Sequence, residues 1–154
     1  MPVLPDNVIW LADHRAVAKA LDAAEGMLRK VVAEDKQDLL PFVICCKADG
    51  ERIIVRYVPG AAPQSRRSQA LDIGRKMRVL GVTEYAVCNL RCIPGNGTRQ
   101  GEVLSVEAHT TEGSSFRLYE VRRRGSIRSL GRVTRDHAAM VPDGTWKGLL
   151  SHDD

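Results

Sequence analysis

The chain has 154 residues, 44% of them hydrophobic and 27% charged, the composition of one ordinary globular domain with a core of its own. Aromatics are only 5%, so that core is expected to be aliphatic, and no apolar run reaches the roughly 18–20 residues of a membrane-spanning helix. The net charge of +4 permits an anionic partner without requiring one, and its basic excess lies late in the chain: residues 1–60 hold eight Lys and Arg against nine Asp and Glu, residues 61–154 fifteen against ten.

Residues 1–12 carry prolines at 2 and 5 ahead of Val8, Ile9, Trp10 and Leu11. They are expected to be an extended, peripheral segment, without the basic start and long apolar run of a secretory leader. Asp13 is placed to cap a helix, because its carboxylate can accept from the free N–H groups of the first turn. From there Val17, Ala20, Leu21, Ala24, Leu28 and Val31 recur every three or four residues and form one apolar stripe. The helix should fray near Asp35 and stop before Pro41.

Phe42–Lys47 and Arg52–Val58 flank Asp49-Gly50, the dipeptide suited to a two-residue hairpin turn. That turn would pair Cys46 with Ile53, Ile44 with Val55 and Phe42 with Tyr57 on one apolar face. The reverse face would carry Val43, Cys45, Ile54 and Arg56. After the Pro59–Pro63 breaker, Ser65 can open a second helix that buries Ala70, Ile73, Met77 and Leu80 and ends at Gly81. Val82–Ile93 reads as a strand, with Ala86, Cys88, Leu90 and Cys92 on one side and Tyr85, Val87 and Asn89 on the other. The glycine-rich 94–101 stretch reads as a loop. Glu112-Gly113 then centres a second hairpin of Val103–Thr110 and Ser115–Arg123, with Leu104, Val106, Ala108, Tyr119 and Val121 on one face. Ser105, Glu107, His109, Phe116 and Leu118 take the opposite face. Ile127–Val133 is a weak last strand. Residues 136–154 form a peripheral tail that Trp146, Leu149 and Leu150 could dock.

The element order α-ββ-α-β-ββ(β) predicts a single α+β domain. Its sheet should be mostly antiparallel, with five or six strands and both helices on the more apolar face. The order resembles that of roadblock/longin-type and profilin-like modules, a likeness of element order that carries over no residue and no function.

Chemistry-bearing residues are few. Cys88 and Cys92 share a strand face, but their sulfurs would lie roughly 13 Å apart at about 3.3 Å per residue, too far for one metal ion. No metal or cofactor is therefore expected, and the four cysteines read as free thiols of a cytoplasmic protein. Cys45, beside Lys47 or Arg56, is a candidate reactive thiol. Glu107 and His109, with Ser105 behind them, form a candidate general-base pair. Gly95-Asn96-Gly97 lacks the lysine and context of a nucleotide-binding loop.

Arginine is the compositional bias. Arg122, Arg123, Arg124, Arg128 and Arg132 form a candidate anion-binding stretch, and Arg66, Arg67, Arg75, Lys76 and Arg78 cluster on the second helix. The mixed face supplies the other candidate surface. Val43, Cys45, Ile54, Arg56, Phe116 and Leu118 together are too apolar to leave in water and too polar for a core. The reading carried furthest is a non-catalytic binding or assembly module that forms a homo-oligomer, a dimer, through that face. One alternative is a nucleic-acid-binding accessory protein using Arg122–Arg135. Another is a small enzyme using His109 with Glu107, or Cys45. The tail folding over the mixed face, with Trp146 as the plug, would remove the need for a partner there.

Overall fold

The computed structural model describes residues 17–57, 63–93, 101–122, 126–129, 142 and 144–151. The extended start, the Asp13 cap, the 94–100 loop and most of Arg122–Arg135 lie outside them.

Helix α1, Ala18–Ala33, buries the predicted stripe, including Ala20, Leu21, Ala24, Leu28 and Val31. Its N-cap position, Val17, makes no side-chain cap bond. A carboxylate from elsewhere in the fold reaches the first turn instead: the Ala20 N–H donates to Glu84 Oε1 at 3.0 Å. A negative group beside the free N–H groups of a helix start is favourable whichever element supplies it. At the other end Asp35 takes φ 56°, and the Asp35 and Lys36 N–H groups donate to Val32 and Val31. This paired bonding closes a helix at a left-handed residue, and Asp is among the few non-glycine residues that tolerate that conformation.

Six strands follow: β1 Phe42–Lys47, β2 Arg52–Arg56, β3 Val82–Ile93, β4 Gly101–His109, β5 Ser114–Arg122 and β6 Ser126–Ser129. Helix α2, Pro63–Leu80, lies between β2 and β3 and stops at Gly81, whose φ is 79°. The strands form one sheet in the order β2-β1-β3-β4-β5-β6, every pair antiparallel. The fold class is therefore the expected one: α+β, a single body with a six-stranded antiparallel sheet.

The helices nevertheless divide between the two faces. Helix α1 packs on the side of Phe42, Ile44, Cys88, Leu104 and Tyr119. Helix α2 packs its Ala70, Ile73 and Met77 against Val43, Cys45, Tyr85 and Val87 on the opposite side. The cause lies in the connectivity and in the first hairpin. Strands β2 and β3 are each antiparallel to β1 and flank it, so α2 must cross β1 on one face to join them. The hairpin makes that face greasy. Lys47 N–H donates to the Glu51 carbonyl at 2.9 Å, which leaves a three-residue loop, 48–50, with Gly50 at φ 92°. Register moves by one residue from the two-residue expectation, so Cys45 pairs with Ile53 and Val43 with Val55. A shift of one swaps the faces of β2. Ile53, Val55 and Tyr57 thereby join Val43 and Cys45, and α2 covers them.

Candidate anion-binding groove

The C-terminal turn is the second cover on the α2 side. Trp146, Leu149 and Leu150 are buried there with Ile73 and Met77, and the Trp146 ring sits 4.6 Å from that of Tyr57. Tyr85, fully buried on β3, pins the turn by two bonds. Its hydroxyl donates to the Trp146 carbonyl and accepts from the Leu149 N–H at 3.3 Å. Burial, the largest influence on it, pushes the Tyr85 hydroxyl well above its ordinary range and keeps it protonated, as a donor must be. Gly74 sets how closely α2 and the turn can meet. A Cβ placed there would lie 3.1 Å from Leu149 Cβ and 3.2 Å from its carbonyl oxygen.

Between helix and turn runs a groove of about 460 Å³, lined by Arg67, Leu71, Arg75, Arg78, Gly148, Leu149 and Ser151. Arg67, Leu71, Arg75 and Arg78 follow one another at spacings of four, four and three, which places them along one side of α2. Arg78 Nη1 donates to the Leu149 carbonyl at 2.6 Å, and Arg67 Nη1 donates to the carbonyls of Gly144 and Thr145. Arg75 pairs with Asp72 at 3.1 Å in an exposed position. Carbonyl oxygens orient the Arg67 and Arg78 guanidinium groups without cancelling their charge. Each guanidinium has five donors in a fixed fork, so donors remain for an anion. Leu71, 40% exposed, supplies an apolar patch between the charges.

The residues singled out from sequence are distributed differently. Val43 and Cys45 are buried under α2 and the turn. Ile54 is 44% exposed and, paired with Ile44, lies on the α1 side. Arg56 is exposed and donates to the Asp38 carbonyl at 3.0 Å. Phe116 and Leu118 are buried. The proposed partner surface is thus not one surface: the slipped register sends Ile54 to the other face, and this chain's own helix and tail close over Val43 and Cys45. In the arginine stretch, Arg128 is exposed and pairs with Glu120 at 3.2 Å. The side chains of Arg122, Arg123, Arg124 and Arg132 lie outside the described residues.

His109 and Glu107 do meet, at 2.8 Å between Nε2 and Oε2, and the third member is Ser114 rather than Ser105. Ser114 Oγ lies 2.8 Å from Nδ1, brought across by the pairing of His109 with Ser114 on β4 and β5. The imidazole is only 1% exposed, with the Tyr85 ring 5.2 Å away, so it is not open to solvent as a general base needs to be. Cys45 is no nucleophile either. Burial, with Cys46 beside it, pushes its thiol up to about 12, while Lys47 is engaged by Glu51 at 2.9 Å. Among the described residues no three His, Cys, Asp or Glu side chains gather as a metal site requires, and no helix is long and apolar enough to cross a membrane.

The α2 arginines stand out in the sequence, but their wall is formed by Gly148, Leu149 and Ser151, far away along the chain. One signal was available. A glycine inside a helix can let another segment close in, as Gly74 does, although nothing lies within 4 Å of a Cβ placed at Gly26 of α1. Comparison with known family models, curated proteins and solved structures finds no match.

Proposed function

We propose that the protein is a non-catalytic binding module that holds an anionic ligand in the groove between α2 and the C-terminal turn. One observation carries this reading: three arginines line a single side of α2 beside a groove of about 460 Å³, two of them oriented by backbone carbonyls. Holding a guanidinium in place before the ligand arrives lowers the ordering cost of binding. The volume falls within the few hundred to about a thousand Å³ of ordinary ligand sites. The burial of His109 and the raised Cys45 thiol favour this reading over a catalytic one at those residues.

The test uses tripolyphosphate as a polyanion probe, followed by amide chemical shifts of the full-length chain at low ionic strength. The expected result is a set of saturable shifts at Arg67, Leu71, Arg75, Arg78 and Gly148 that weakens as salt rises. Shifts scattered over other basic surfaces, or none, would sink the proposal.

A further inference from the structure

The groove is not uniform, and its pattern narrows the ligand. Arg75 and Arg78 are three residues apart on α2, which brings their Cβ atoms to about 5–6 Å and lets both guanidinium groups converge on one anion. Leu71 lies one turn back along the helix, with Leu149 on the facing wall. A nucleic-acid strand would want aromatic platforms for its bases, and among the described residues no aromatic side chain lines the groove. Inorganic phosphate alone would leave the exposed face of Leu71 unused.

Resting on the anion-binding reading above, we infer that the ligand is a small organic phosphate ester. Its phosphate is held by Arg75 and Arg78, and its apolar body lies on Leu71, beside Gly148 of the turn. The phosphate oxygens accept from guanidinium donors that the carbonyl contact of Arg78 leaves available, and they displace Asp72 from Arg75. The body covers apolar surface that is now wet, and the size of the groove limits that body to roughly one ring or a short chain.

Phenyl phosphate and inorganic phosphate are the probes, titrated into the full-length chain by calorimetry, with an oligothymidine as a third arm. Phenyl phosphate is expected to bind about tenfold more tightly than inorganic phosphate, as covering the ring on the exposed face of Leu71 implies. Arg75→Ala should weaken both about tenfold or more, the loss expected for a charge-assisted hydrogen bond. Leu71→Ser should bring the ratio of the two affinities toward one. Both side chains are exposed, and circular dichroism would verify that the variants fold. Equal affinity for the two probes, or a ratio unmoved by Leu71→Ser, overturns the organic-ester inference and leaves anion binding standing. Tight, salt-sensitive oligothymidine binding with no response to phenyl phosphate also overturns it. Binding of none of the three overturns both.

Discussion

A histidine with a carboxylate on one ring nitrogen and a hydroxyl on the other is often a catalytic base; His109 has both and is sealed from solvent. Its role is to satisfy its neighbours. Removing the ring takes a hydrogen-bond partner at 2.8 Å from Glu107 and leaves a cavity in its place. His109→Ala is expected to lose about 2–4 kcal/mol in a urea titration, the range for truncating a buried, hydrogen-bonded side chain. Glu25 belongs to this scale too. Burial pushes its carboxyl up, but hydrogen bonds from Arg29 and Tyr119 and the charges of Arg29 and Arg117 outweigh burial and leave it below its ordinary 4.5. A carboxyl lowered by folding adds stability above its unfolded value, and that stability is lost as pH falls through the lower, folded value. Stability should therefore decline as pH drops below about 4.5, and Glu25→Gln should flatten part of that decline in denaturant titrations taken across the acid range.

At the scale of elements, the two hairpins show how turn chemistry decides a face. In sequence each centres on a glycine-containing dipeptide that predicts a two-residue turn there, and in each the register differs from that expectation. The first closes one residue away, through the 48–50 loop, and β2 exchanges faces. The second closes at Thr110 and Gly113, two residues from the expected pairing, and its faces are unchanged because side chains alternate with a period of two. Leu104 and Tyr119 therefore still lie on the α1 side, while Phe116 and Leu118 point the other way. The contact between α2 and the tail is also close, because a Cβ at Gly74 would lie 3.1 Å from Leu149 Cβ and a longer side chain would press on the turn. Gly74→Leu should push the C-terminal turn off the helix. In a Trp10→Phe background, Trp146 emission would then shift to the red; an unchanged spectrum would mean that the turn can accommodate the larger residue.

For the molecule as a whole, the consequence is a sheet with α1 on one side and, over β1 and β3 on the other, α2 together with Trp146, Leu149 and Leu150. Cys45, Cys46 and Cys88 are buried, and burial, as the first cause in each, raises their thiols above the ordinary 9.0. A thiol reagent near neutral pH should leave these three unmodified in the folded protein and label them on unfolding, as peptide mass mapping would show. Deleting residues 142–154 removes Trp146, Leu149 and Leu150 from the α2 side. The shortened chain is expected to label at Cys45 without denaturant and to sediment as larger species than the full chain, because newly wet apolar surface favours association.

Much of this was legible in the order of residues alone. The α1 stripe, the stop at Gly81, the two sides of β3 and the faces of the second hairpin all follow from local periodicity, which reports which side chains of one element point the same way. Local periodicity does not report what those side chains point at. The site of α2 was settled by the β2-α2-β3 crossover and a one-residue register shift, and the Glu84 cap on α1 by a strand more than 60 residues away. The groove beside α2 depended on a glycine and a tail that meet only after the chain has folded. Those are long-range contacts, and a sequence pattern carries no distance between residues that far apart.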